Sequence, residues 1–173
     1  MSKKIILWLA QGFGSGRAPV APGTFGSVVG LGWLAILLLG QSWWILGCGI
    51  AVSIIVSVWL CGEGEKIMNQ KDPGPVVMDE IIAMPLCFVA WLAMIHPTLP
   101  SPVEFFKNHW PVVLVVFVLF RLFDIWKPWP VRQSQSLRGG LGITIDDVLA
   151  AVYVNLVMLV YMSCTSLLQT HSR

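Results

Sequence analysis

Apolar residues in this chain come in long unbroken blocks, not in the spaced stripes of a helix with one wet face. Five blocks stand out, over roughly residues 25–39, 43–61, 81–95, 111–123 and 148–168. A helix that is apolar all round has no side to turn to water, so each block reads as a helix immersed in lipid. Crossing the hydrocarbon takes about 20 residues, and the first, third and fourth blocks fall short of that. Their Trp and Pro-rich flanks are expected to carry them into the interface. Gly40, Gln41 and Ser42 make the only break between the first two blocks, which predicts a tight helical hairpin. The pattern predicts an all-α, polytopic membrane bundle of about five transmembrane helices, formed as a single domain over residues 1–173.

Composition agrees with lipid immersion. Only 12% of residues are charged, against roughly a quarter in a soluble domain, and the mean hydropathy is +0.76. A net charge of +2 from scattered basic residues gives no footprint for nucleic acid. Cys48, Cys61, Cys87 and Cys164 lie in or beside apolar runs without metal-type spacing, so they read as packed, reduced thiols. The start, MSKKIILWLAQGFGSG, opens like a signal peptide. Its apolar core is very short and no small-residue cleavage site follows, so it is expected to stay in the mature protein.

Charge sets the expected orientation. With the N-terminus inside, the inner segments hold Lys3, Lys4, Arg17, Lys66, Lys71, Arg121, Lys127, Arg132 and Arg138, and the outer side holds only Lys107 and Arg173. Such asymmetry is the positive-inside signature, with the C-terminus outside. One long helix over 25–61 would split the count nearly evenly, which favours five spans. Trp43, Trp44 and Trp110 then mark the outer interface, and Trp126 and Trp129 the inner one. Of the carboxylates only Glu104 falls outside, whereas His96, His109 and His171 all do.

Five of the inner carboxylates stand at the edges of apolar blocks: Asp79 and Glu80, Asp124, and Asp146 with Asp147. Acids are costly in lipid, and gathered on one side they would form an anionic cup at the membrane surface. First-turn acids such as Asp79 and Glu80, after the turn Asp72-Pro73-Gly74-Pro75, are also ordinary helix capping. Asp124 resists that explanation, because a carboxylate at a helix C-terminus opposes the dipole. Arg121 and Lys127 stand three residues to either side of it, on one face. Gly139, Gly140 and Gly142 predict a flexible or tightly turned loop from which Asp146 and Asp147 open the last helix, about 100° apart.

The segment 18–30, APVAPGTFGSVVG, supplies an expected anion site. Its prolines stop any preceding helix, Gly23 and Gly26 admit a close ligand, and Thr24 and Ser27 can cap the next helix. Unpaired N–H groups around Thr24 to Ser27, with a helix dipole behind them, would face an anion. Oxygen ligands without imidazole or thiolate point to Mg²⁺ or Mn²⁺ rather than zinc. Such a cation beside Arg121 and Lys127 suits a phosphate ester, whose developing charge both would neutralise. Other phosphatase chemistries are excluded. No cysteine has an arginine six positions on, no Asp-x-Asp pair exists, and the histidines lie on the other side.

The blocks APGTFGS, MDE, FRLFDIWKPWP and GGLGITIDDVLA, in that order, resemble the signature of the phosphatidylglycerophosphatase A family. The resemblance implies a Mg²⁺-dependent enzyme of the bacterial inner membrane, active at the cytoplasmic face. Such an enzyme removes the terminal phosphate of phosphatidylglycerophosphate to give phosphatidylglycerol, and so supplies cardiolipin synthesis. It further implies Asp79, Glu80, Asp124, Asp146 and Asp147 as catalytic and metal-binding residues, and Thr24, Ser27, Arg121 and Lys127 as substrate-binding ones. Two positions depart from the family pattern: Ala83 and Ala151 stand where glycine is usual, each adding one methyl group near the site. Two rival readings remain. A small cation or proton transporter would place acids near the midplane, whereas here they gather at one interface. A non-catalytic membrane subunit would leave Asp124 and its basic neighbours unexplained.

Overall fold

The structure, a computed structural model, describes residues 2–171, with side chains through residue 168. The sides expected for Arg173 and for the His171 side chain therefore lie outside the described residues. Among the described residues every regular element is helical: α1 (Lys3–Ala10), a 3-10 segment (Gly12–Arg17), α2 (Pro22–Leu38), α3 (Trp43–Met68), α4 (Met78–Cys87), α5 (Val89–Ile95), α6 (Pro102–Trp126), α7 (Val131–Ser134) and α8 (Gly140–His171).

Four stretches are long and apolar enough to cross a membrane: α3, the α4–α5 pair, α6 and α8 through Leu168. The first apolar block becomes α2, which at 17 residues is shorter than these. The hairpin expected at Gly40–Ser42 is present, since α2 stops at Leu38 and α3 starts at Trp43. Helices also outrun their apolar blocks, α3 at its C-terminal end and α6 at its N-terminal end. α3 continues to Met68 through a polar stretch in which Lys66 pairs with Glu63 at 2.7 Å. At its other end α6 begins early, at Pro102, where Ser101 Oγ accepts the Glu104 N–H.

Two expectations need correction. Asp146 and Asp147 do not open the last helix; α8 starts at Gly140, which places them in its second turn. The glycines there are helical because backbone must approach backbone: a Cβ on Gly140 would meet the Val58 carbonyl of α3 at 1.9 Å. Nearby, the Ser57 and Thr144 hydroxyls share a hydrogen bond of 3.0 Å across α3 and α8. The third block is also not one continuous helix. Pro85 lies inside α4 and the chain leaves the helix at Phe88 before resuming as α5.

The N-terminal segment packs onto the entry to α4. The Val77 N–H donates to the Ala10 carbonyl at 3.0 Å, and Ile6, Ala10, Val76, Val77 and Ile81 share a buried cluster. A second, larger cluster runs through α2, α4, α6 and α8 around Leu34, Met84, Phe88, Phe120 and Val154. Cys61 and Cys87 are buried and Cys48 and Cys164 exposed, all as free thiols. The effect of this packing is to bring the start of α2, the start of α4, the end of α6 and the early turns of α8 to one end of the bundle.

Candidate active site

At that shared end lies a cavity of about 260 Å³, lined by Ala21, Pro22, Gly23, Asp72, Gly74, Val76, Asp79, Glu80, Arg121, Asp124, Lys127, Asp146 and Asp147. All five candidate carboxylates and both candidate cations face this space. α4 brings Asp79 and Glu80 from its first turn, α6 brings Asp124 from its last turn and Arg121 from the turn before, and Lys127 follows as the C-cap in the left-handed region.

The five acids are not equivalent. Asp79, Glu80 and Asp147 each place a carboxylate oxygen within 4.8 Å of the other two. Asp79 Oδ1, Glu80 Oε2 and Asp147 Oδ2 are buried without a hydrogen-bond partner. Buried carboxylate oxygens in mutual contact repel, and repulsion is relieved by a cation or a proton. An all-oxygen set of this kind is the donor chemistry of Mg²⁺ or Mn²⁺. These three residues therefore fit a hard divalent cation.

Asp124 and Asp146 are occupied otherwise. Arg121 Nη1 lies 2.6 Å from Asp124 Oδ2, and Lys127 Nζ lies 4.0 Å from Asp124 Oδ1. Lys127 Nζ also donates to Asp146 Oδ2 at 2.5 Å, an oxygen that accepts a second bond from Gln135 Nε2 at 3.0 Å. Asp146 Oδ1 accepts the N–H of Asp147. Partial burial pulls the Lys127 ammonium toward neutrality, but the Asp146 hydrogen bond and the nearby carboxylates outweigh it and raise the pKa, so Lys127 stays cationic. Arg121 keeps spare capacity. Its Nη1 is 3.9 Å from Glu80 Oε1, and neither Nε nor Nη1 makes an aligned hydrogen bond. A guanidinium fixed by carboxylates through Nη1, with Nε unbonded, can grip an added oxyanion.

Thr24 and Ser27 stand apart from the cavity lining. Neither caps α2, whose N-cap is Ala21 in the left-handed region at φ 48°. Ser27 is fully buried and returns its hydroxyl to the Gly23 carbonyl at 2.9 Å. The Thr24 N–H is taken by the Ala21 carbonyl. Pro22 enters the helix ready-made at its first position, where a missing donor costs nothing. The part of α2 that faces the cavity is consequently Ala21 to Gly23. Gly23 is there because nothing larger fits: a Cβ would stand 2.2 Å from Glu80 Oε1 and 3.0 Å from Arg121 Nη1.

Two participants escaped the sequence reading. Asp72, at φ 46° in the turn before α4, lines the cavity. Gln135 reaches Asp146 from just after α7. The Asp-Pro-Gly-Pro turn was visible as a turn, but nothing in its residues said that it faced the acids. Gln135 carried no signal at all.

The chain is similar to known proteins over most of its length. The family model described as phosphatidylglycerophosphatase A matches residues 8–162. A phosphatidylglycerophosphatase A of Escherichia coli is 38% identical over 146 residues, spanning 83% of this chain and 76% of its own. One from Haemophilus influenzae is 38% identical over 153 residues, spanning 87% of this chain and 84% of its own. No solved structure matches the chain. With the family match running from α1 well into α8 and covering every cavity-lining residue, this helical membrane protein belongs to the phosphatidylglycerophosphatase A family.

Proposed function

We propose that this phosphatase hydrolyses the terminal phosphomonoester of phosphatidylglycerophosphate at the cytoplasmic face of a bacterial inner membrane, with Mg²⁺ held by Asp79, Glu80 and Asp147. The observation that carries the proposal is the pair of features sharing one cavity: three unpartnered buried carboxylate oxygens, and beside them two cations with carboxylate partners of their own. Mg²⁺ in such a place would polarise a phosphoryl oxygen and lower the pKa of a bound water.

The chain's own groups handle the rest. A phosphomonoester carries between one and two negative charges at neutral pH, about 1.5 to 2 by analogy with phosphoserine. Arg121 offers free guanidinium donors to it, and Lys127 adds a point charge. Asp124 orients the guanidinium and Asp146 the ammonium, so neither cation has to be organised when the substrate arrives. The start of α2 at Gly23 brings a helix N-terminus to the same space. A head group can enter from the bundle end while acyl chains stay in lipid. A phosphodiester lacks the second ionisable oxygen this arrangement is suited to hold.

The proposed topology is N-inside and C-outside, with α2 as the fifth and shortest span. Two points support it. The nine basic residues of the sequence argument belong to segments at the cavity end or at the N-terminus, and the helix ends that meet at the cavity alternate as such a topology requires. Cysteine labelling of intact cells should reach Ser136→Cys from the cytoplasm and Ser101→Cys from outside; the reverse pattern would end this placement. The transporter reading finds no support, since the carboxylates gather at one end of the bundle.

Phosphate release from defined lipids by the purified protein tests the function. Release from phosphatidylglycerophosphate, abolished by a chelator and restored by Mg²⁺, is the expected result. Equal hydrolysis of phosphatidylglycerol, a diester, would overturn the assigned substrate class, and full activity in the chelator would overturn the metal.

A further inference from the structure

Between α4 and α5 a single apolar run is interrupted, and another helix repairs the interruption. In a continuous helix the Ala90 N–H would donate to the Leu86 carbonyl four residues back. Here the chain leaves the helix at Phe88, and the side chain of Asn155, midway along α8, enters the gap. Asn155 Oδ1 accepts the Ala90 N–H at 2.8 Å, and Nδ2 donates to the Leu86 carbonyl at 2.8 Å. The remaining donation from Nδ2 goes to the Ala151 carbonyl of its own helix, also at 2.8 Å. An amide in an apolar span is costly unless it is satisfied, and no water is at hand there to replace a lost backbone bond. An aliphatic side chain could fill the same volume but would leave the Ala90 N–H and the Leu86 carbonyl without that partner.

The helices joined in this way are those that carry the cation site. Along α4, Asp79, Ala83 and Leu86 follow one another at spacings of four and three residues. Along α8, Asp147, Ala151 and Asn155 do so at spacings of four, so each set lies along one flank of its helix. At 1.5 Å per residue the amide sits about 10–12 Å from the carboxylates. The residues between, Ala83 and Ala151, are fully buried. Small residues let the two backbones approach closely at that level but carry no polar group to oppose one helix sliding or turning on the other. Directional hydrogen bonds can stop it.

We propose that Asn155 is a positioning residue: its amide, inserted into the break between α4 and α5, fixes the register of α8 against α4. It thereby fixes the separation of Asp147 from Asp79 and Glu80. The proposal rests on the reading of those three carboxylates as one cation site, and the test keeps the two apart. Full-length wild type, Asn155→Leu and Asn155→Gln, each purified in detergent, are compared by three measurements. These are amide exchange at Ala90, Mn²⁺ binding by electron paramagnetic resonance, and kcat and KM for phosphate release.

In Asn155→Leu, Ala90 exchange should rise about tenfold or more. Mn²⁺ affinity and kcat should each fall by about tenfold or more, the loss typical of residues that orient metal ligands, with KM unchanged. Asn155→Gln keeps an amide displaced by one methylene and should fall between. If Asn155→Leu does not fold, Asn155→Gln against wild type carries the same comparison. Unchanged Ala90 exchange would show that there is no clamp. Faster exchange with wild-type Mn²⁺ affinity and kcat would show a clamp without a positioning role. Wild type that binds no Mn²⁺ would refute the cation site instead, and the change in kcat at constant KM would then decide for or against Asn155.

Discussion

Gly23→Ala separates the site from the fold more cleanly than any carboxylate substitution. The added Cβ would stand 2.2 Å from Glu80 Oε1 and 3.0 Å from Arg121 Nη1. Carbon–oxygen contacts lie at about 3.3–3.6 Å, so the Glu80 carboxylate must retreat by about 1 Å or more. Both neighbours are the far ends of flexible side chains, so the backbone need not move and the fold is spared. Function is not spared, because Glu80 is one of the three carboxylates within 4.8 Å of one another. Misplacing a reacting or binding group by about 1 Å costs about a hundredfold in rate, equivalent to about 2.7 kcal/mol of barrier. The assay is phosphate release from phosphatidylglycerophosphate in mixed micelles across a Mg²⁺ titration, beside thermal unfolding of the same preparation. The expected result is kcat down by about two orders of magnitude, with more Mg²⁺ needed for half-maximal rate and an unfolding midpoint close to wild type. Wild-type kcat would refute the geometry. A loss that merely tracks unfolding would refute the claim that α2 meets the site at Gly23.

Gly140→Ala should behave in the opposite way: its Cβ would strike the Val58 carbonyl at 1.9 Å. A clash with backbone forces α3 and α8 apart, at a cost toward the upper end of the 1–3 kcal/mol typical of overpacking, about 3 kcal/mol; an unchanged unfolding midpoint would contradict this packing. Asp147→Asn should raise the Mg²⁺ needed for half-maximal rate by about tenfold or more, whereas Asp124→Asn should lower kcat by loosening Arg121 and shift the Mg²⁺ requirement less. A larger Mg²⁺ shift in Asp124→Asn would reverse the division of roles between the two. Lys127→Ala should weaken substrate use far more than Lys66→Ala, because Lys66 is exposed and paired only with Glu63; indistinguishable kinetics for the two variants would remove Lys127 from the phosphate site.

The outline of the site could be read from the chain because membranes penalise buried charge. An acid beside an apolar block is expected near the membrane edge, and that alone grouped Asp79, Glu80, Asp124, Asp146 and Asp147. Backbone geometry was harder to read. The GGLG run looks like a loop, yet Gly140 and Gly142 are helical because α8 must come against α3 where a side chain would collide. Thr24 and Ser27 look like caps, but Ala21 adopts the left-handed turn and Pro22 begins the helix, which puts Ser27 a turn too deep. The stretch 1–16 reads in the sequence only as a short, uncleaved leader; the cover that Ile6 and Ala10 give Val76 and Val77 depends on contacts some 65 positions away. Asn155 gave no sign either, since a lone amide in an apolar block does not reveal that its partner is a helix break.

The five acids differ in the helix turn each occupies and in the partners around it. The N-terminal end of α4 presents partial positive charge to Asp79 and Glu80, and Glu80 gains further from Arg121 Nη1 at 3.9 Å. Asp124 sits in the last turn of α6, where the dipole is unfavourable, and the chain compensates with Arg121 on the same face and Lys127 at the cap. Asp146 and Asp147 lie in the second turn of α8, past the reach of its N-terminal field. Asp146 takes Lys127 and Gln135, which leaves Asp147 buried, near Asp124, Glu80 and Asp146, with Oδ2 unpartnered. Of the five, Asp147 has the most to gain from an added cation. Its substitution by Asn is for that reason the one expected to ease repulsion in the metal-free fold while costing the most at the metal. In a chelator Asp147→Asn should unfold at a higher temperature than wild type, and Mg²⁺ should stabilise wild type more than the variant. A variant less stable than wild type in the chelator would show that Asp147 is satisfied by the protein alone.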